Sequence, residues 1–152
     1  MSEYIYISKN ANLANEIYHT MSLKEQSFVT GGDTRDWYIQ QKDYDKDNSI
    51  IVYSSLTIIN KIPVSFLDVF SIDGIGEISI GVRKNKRHRG LASKEIEKLL
   101  NWYKNDNSLK VLSWSVNIHN KASINLAEKF NFVRDYKRDF DEEWITYRYE
   151  TN

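Results

Sequence analysis

The chain has 152 residues, 21 Lys and Arg against 21 Asp and Glu, a single proline and no cysteine. Balanced charge argues against a general nucleic-acid binder, and without cysteine there is no disulfide framework, thiolate nucleophile or cysteine–metal site. Three scattered histidines lack zinc-ligand spacing, no apolar run approaches the length of a membrane span, and no segment reads as a signal peptide. The expectation is one cytoplasmic domain over residues 1–152, with no metal, membrane or nucleic-acid partner, and with a homodimer left open.

In chain order, residues 3–7 read as a strand. From Asn10 to about Met21, the spacing of Leu13, Ala14, Ile17 and Met21 predicts a helix. Residues 22–48 are broken by Gly31-Gly32-Asp33 and read either as a solvated loop or as holding a second helix over 36–41. Ile50–Ile59 and Ile62–Ile72 read as strands around Asn60-Lys61, and Asp73-Gly74 is a hairpin turn leading into Glu77–Val82. Next come a basic loop and a helix whose apolar face carries Ala92, Ile96, Leu99, Leu100 and Tyr103. Leu109–Val116 is a buried-looking strand. The crossover to it from Glu77–Val82 implies a parallel pair with a right-handed connection. Ser123–Phe130 reads as a helix, and Val133–Phe140 with Trp144–Tyr149 as a closing hairpin.

The loop concentrates Arg83, Lys84, Lys86, Arg87, His88 and Arg89 at a helix start. A helix N-terminus already carries partial positive charge and unpaired N–H groups. A bound anion, such as a pyrophosphate, would relieve the crowding. Gly90 permits positive φ or close backbone approach.

Arg87, Gly90 and Ala92 fill the pattern Gln or Arg, two residues, Gly, one residue, Gly or Ala, and Val82 stands five residues before the Arg. This resembles the acyl-CoA pyrophosphate loop of the GCN5-related N-acetyltransferase (GNAT) superfamily. Further on, Asn120, Ser123, Glu128, Lys129 and Phe132 match the second motif of that family in order and spacing. The form is most similar to the branch of ribosomal-protein N-terminal and spermidine-type acetyltransferases.

The resemblance implies an α/β fold (an α+β mixed sheet) of six to seven strands, with helices on both faces and two splayed central parallel strands. It implies acetyl transfer from acetyl-CoA to a primary amine of a small molecule, polyamine or peptide, by direct attack in a ternary complex. The pantetheine arm would lie between the splayed strands, on backbone groups around Ile80 and Val82. Arg87, His88, Arg89, Gly90, Leu91, Ala92 and Ser93 would cradle the pyrophosphate. Asn120 and Ser123 would serve the pantetheine region, with Asn120 also suited to cap the following helix.

Glu77 is the candidate general base, the other reading being an exposed strand start. Three positions depart from the family pattern. Ala127 stands where a Tyr often protonates the leaving thiolate, Asn131 replaces a Gly, and His88 replaces a frequent Gly. The Ala127 departure leaves an alternative: a weakly active or inactive GNAT-fold module acting through CoA or protein partners. A third reading, nucleic-acid contact through the basic loop, lacks a second basic face.

Overall fold

The computed structural model describes residues 13–14, 16–30, 50–106 and 108–150. The expected strand over 3–7, the candidate helix over 36–41 and the acidic positions 33–47 lie outside these residues. Helical residues 13–14 and 16–18 are followed by helix α1 (Leu23–Thr30). Next come strands β1 (Ile50–Ile59), β2 (Ile62–Ile72) and β3 (Ile75–Val82). Helix α2 (Leu91–Tyr103), β4 (Val111–Asn117), helix α3 (Lys121–Lys129), β5 (Val133–Arg134) and β6 (Trp144–Tyr149) complete the chain. No described helix is long and apolar enough to cross a membrane.

The strands form one sheet in the order β1-β2-β3-β4-β6-β5. Every neighbouring pair is antiparallel except β3 and β4, which run parallel as the crossover through α2 requires. The first three strands form a meander whose turns rest on positive φ at Asn60, Lys61, Asp73 and Gly74. Asn, Asp and Gly tolerate that region better than other residues.

Adjacent residues of β2 serve opposite faces, as strand alternation demands. Leu67 and Val69 pack with Ile96, Leu99 and Tyr103 of α2, and the same core takes in Trp114, Ala127 and Phe132. Phe66 turns the other way and packs with Ala14, Ile17, Tyr18 and Met21. The central sheet is thus covered on both faces.

Two expectations needed correction, and one feature was unforeseen. α1 occupies part of the segment read as loop or helix over 36–41. It begins with a reciprocal cap in which the Ser22 N–H donates to Glu25 Oε1 (2.9 Å) and the Glu25 N–H donates to Ser22 Oγ (3.2 Å). The closing hairpin is far shorter than Val133–Phe140. After Arg134 the chain makes a 3-10 turn (Tyr136–Arg138), and the Asp139 carboxylate takes the Thr146 N–H (2.8 Å) that a longer ladder would have used. Asp139 also receives both terminal nitrogens of Arg134, at 2.7 and 2.8 Å. Finally, the polar side of α2 carries Glu95, which is wholly buried. Its carboxylate accepts hydroxyls from Ser55, Thr57 and Ser65 at 2.6–2.9 Å and faces Lys98 Nζ at 3.1 Å, which ties α2 to β1 and β2.

Candidate active site

The site begins where β3 and β4 part. Their parallel pairing covers only Ile75–Val111, Gly76–Leu112 and Glu77–Ser113. Beyond that point β3 stays on β2 as far as Val82, and β4 stays on β6 as far as Asn117. A wedge-shaped gap therefore opens between the two middle strands.

The backbone facing this gap follows from alternation. The Arg83 N–H donates to the Val64 carbonyl at 2.8 Å, so Val82 and Ile80 turn their N–H and C=O groups away from β2 and into the gap. Across the gap the Ile118 N–H donates to the Glu143 carbonyl at 2.8 Å, so Ser115 turns its backbone inward from β4. None of the three has a strand partner on that side among the described residues.

The gap opens into a cavity of about 530 Å³ that continues to the start of α2. Ten of the sequence-predicted residues line it: Ile80, Val82, Arg87, His88, Gly90, Leu91, Ala92, Ser93, Asn120 and Ser123. Two do not. Arg89 is exposed outside the lining, and Glu77 lies at the closed end of the gap. Burial pushes the Glu77 carboxyl above its ordinary value, against the lowering influence of the Ser113 hydrogen bond and the Arg138 charge.

α2 starts without a side-chain cap, and its first turn holds no acid. Gly90 occupies the N-cap position at φ 75°, and open space surrounds the place of a Cβ. The α2 N-terminus is therefore presented bare to the cavity, with Lys86, Arg87 and His88 beside it. His88, where the family pattern often has Gly, is itself held at φ 63°, a strained value for a side chain of its size. At the second motif, Asn120 Oδ1 accepts the Ser123 N–H at 3.3 Å, so Asn120 caps α3 and lines the cavity at once. Asn131 adopts φ 65°, the left-handed position in which Asn substitutes for Gly.

The cationic corner is partly neutralised from within the protein, which the sequence reading did not foresee. Arg87 forms a salt bridge with Glu25 of α1. Arg83 pairs with Glu16 at 2.7 Å and donates to the Pro63 carbonyl at 2.8 Å. Partial burial alone would raise the Glu25 carboxyl, but the Ser22 N–H and the Arg87 guanidinium outweigh it and hold it below its ordinary value. An outside anion is thus one of two ways to balance Arg87. Protein does not fill the corner, because Lys86, Arg87 and His88 still border open cavity.

The sequence reading also missed Met21, Glu25 and Phe28, which wall the cavity from the N-terminal helices, and Trp114, Ser115 and His119 on the β4 side. The Ser22–Glu25 spacing was the available signal for α1. No tyrosine is among the described lining residues, and Ala127 is buried in the core. The acids of the closing turn are used locally. Asp139 binds Arg134 and the Thr146 N–H, while Asp141 accepts the Glu143 and Trp144 N–H groups. Among the described residues no group of three or more His, Asp or Glu could hold a metal ion.

A parallel pair that splays beside a bare helix N-terminus is the arrangement that the GNAT resemblance implied, and the comparisons agree. The acetyltransferase (GNAT) family model matches residues 15–132, so the chain belongs to the GNAT acetyltransferase family. The fold is similar to that of the GNAT domain of PAT from S. lividans (TM-score 0.76, 12% identity, covering 94% of this chain and 86% of that one). It is also similar to ribosomal-protein-alanine N-acetyltransferase from Brucella melitensis (TM-score 0.69, 13% identity, 94% and 95% covered). A third similar structure is yncA from Salmonella typhimurium, solved with its cofactor acetyl-CoA (TM-score 0.70, 14% identity, 95% and 90% covered). No curated protein matches the chain in the sequence comparison.

Proposed function

We propose that the protein transfers acetyl from acetyl-CoA to a primary amine by direct attack within a ternary complex. The observation that carries this reading is the continuity of the strand gap with the uncapped start of α2. The gap offers inward-facing backbone at Ile80 and Val82 for an amide-bearing arm. The α2 N-terminus, Lys86 and Arg87 offer N–H groups and cations for phosphates. The acetyl-CoA bound to the similarly folded yncA supports the same donor. A cavity of about 530 Å³ lies within the roughly 300–1,000 Å³ of ligand sites.

The chemistry needs three things of this chain. The donor and the amine must be held in reach of each other, which the walls of the gap provide. An N–H must meet the developing oxyanion, and the inward-facing backbone of Ile80 and Val82 supplies such donors. The ammonium must lose a proton before nitrogen can attack. Glu77 is the base that the sequence proposes, and its burial-raised carboxyl suits a proton acceptor, although it sits at the closed end of the gap. With Ala127 at the usual tyrosine position, the Ser115 hydroxyl is one donor on the cavity wall open to the leaving thiolate.

Thermal melting with acetyl-CoA, CoA and an oligonucleotide, followed by CoA release over a panel of amines and peptides, tests the proposal. The expected result is a raised midpoint with both CoA species, none with the oligonucleotide, and turnover with at least one amine. Stabilisation by the oligonucleotide alone would remove the reading. Stabilisation by acetyl-CoA without turnover of any amine would select the binding-module alternative that Ala127 suggests.

A further inference from the structure

Around the gap, the carboxylates of Glu16, Glu25, Glu77 and Glu95 are partnered, whereas Asp68 keeps one buried oxygen unbonded among the described residues. Glu16 pairs with Arg83, and Glu25 with Arg87. Glu77 takes a hydrogen bond from Ser113 and faces Arg138. Glu95, on the opposite face, takes three hydroxyls and Lys98. Asp68 differs. It is 2% exposed; its Oδ1 accepts the Ser54 hydroxyl at 2.8 Å, while its buried Oδ2 has no hydrogen-bond partner among the described residues.

A charged oxygen buried without a partner is costly, and a fold retains one where a ligand or a reaction uses it. Asp68 stands in the middle of β2, within the apolar run Phe66-Leu67-Asp68-Val69-Phe70. Strand alternation puts it on the face of Phe66, the side on which Met21 and Phe28 wall the cavity. Its register partner on β3 is Ser79, which lines the cavity beside Ile80. Directly opposed residues stand about 4.5–5.5 Å apart. Glu77 lies two residues back on the same face of β3, but its own neighbours, Phe70 and Ser113, are outside the lining.

We infer that Asp68 is the positioning residue that takes up the acceptor amine's proton, passed from the cavity through the Ser79 hydroxyl. This rests on the acetyltransferase reading and deepens it. The ammonium gives one proton to the Ser79 oxygen as that hydroxyl gives its own proton to Asp68 Oδ2. The freed nitrogen lone pair forms the bond to the thioester carbonyl carbon. The C–S bond breaks with its electron pair on sulfur, and the remaining excess N–H proton goes to the thiolate. Asp68 then returns its proton to solvent. Burial, reinforced by the negative Glu95 across the sheet and only partly opposed by Ser54, pushes the Asp68 carboxyl up to about 7, so the group changes state near neutral pH.

The test uses the full chain and the amine turned over fastest among alkyl monoamines, spermidine and peptides with free N-termini. In the wild type, kcat falls as pH drops through about 7. Asp68→Asn lowers kcat by ~10²-fold and abolishes that limb, while acetyl-CoA binding stays unchanged. Ser79→Ala has a similar effect, Ser79→Thr restores activity, and the Asp68→Asn, Ser79→Ala double variant loses no more than either single one. An intact limb with a rate within about threefold of wild type in Asp68→Asn overturns the inference, as does a limb lost only in Glu77→Gln. Should Asp68→Asn not fold, the Ser79 pair and a 13C carboxyl titration of the wild type decide. No aspartate carboxyl titrating above about 6 would overturn the role. Failure of acetyl-CoA to raise the melting midpoint is a different outcome, which removes the acetyltransferase reading and this role with it.

Discussion

Glu77 and Ser113 are the last residues of the two central strands to stand side by side. One residue further on, each strand keeps its outer partner and loses its inner one. This pair is the vertex of the gap, and Glu77 is hydrogen-bonded across it to Ser113. The vertex sets how far up β3 a ligand can reach, and it holds a carboxyl on the face of the N-terminal helices.

Glu77→Gln keeps the shape of the vertex and removes its charge. Acetyl-CoA affinity should be unchanged, and kcat should fall by less than ~10-fold with the acid limb still present. Isothermal titration and a pH–rate series on Glu77→Gln and Asp68→Asn separate the two carboxylates. Loss of the limb in Glu77→Gln would return the base role to Glu77.

Gly90→Glu places a side chain at φ 75° and an acid at the bare start of α2. Open space around that position means the fold should survive, at a cost of about 1–2 kcal/mol for the left-handed backbone. Acetyl-CoA affinity should fall by on the order of 100-fold or more, since like charges brought together cost several kcal/mol. Titration calorimetry on a variant of wild-type circular dichroism measures this, and retained affinity would place the phosphates elsewhere.

Glu25 holds the Arg87 guanidinium from α1. Glu25→Gln releases it to an incoming phosphate at the loss of about 1 kcal/mol or less, because the pair is partly exposed. CoA should bind several-fold more tightly, with a steeper dependence on salt. Equal affinity in the two proteins would mean that Arg87 stays on Glu25 when CoA is bound.

Asp68 also links stability to pH. Its folded value of about 7 lies above the ordinary 3.8. Between those values the folded chain holds a proton that the unfolded chain has released, so stability declines as pH rises through that window and stays lower above it. Asn does not ionise, so Asp68→Asn should gain on the wild type by up to ~4 kcal/mol between pH 4 and pH 8. Melting curves of both proteins at pH 4, 6 and 8 measure this, and a constant difference would show that the carboxyl does not change state in that range.

Much of this molecule could be read locally. The turns at Asn60-Lys61 and Asp73-Gly74 lie where the sequence puts them, with Asn60, Asp73 and Gly74 of the types that favour positive φ. The Arg87–Ala92 loop and the Asn120 cap lie where short-range spacing puts them. α1 was legible in Ser22 and Glu25 and was missed because the surrounding segment is polar. The short β5 was not legible, because it depends on Asp139 meeting Arg134 and Thr146 across the turn. Asp68 left a trace, a lone acid in an apolar run, but its meaning needs Ser79 opposite it.

By itself, then, the sequence determined the order of the strands along the chain, the parallel crossover and the position of the Arg87–Ala92 loop, since each follows from periodicity, turn chemistry and the strand–helix–strand connection. The tertiary structure alone decided where β3 leaves β4, which acid meets Arg87, and which carboxylate keeps a buried oxygen without a partner among the described residues. Those depend on register and packing between segments far apart in the chain, 36 residues for Glu77–Ser113 and 62 for Glu25–Arg87, and no local pattern encodes which distant surface a side chain will face.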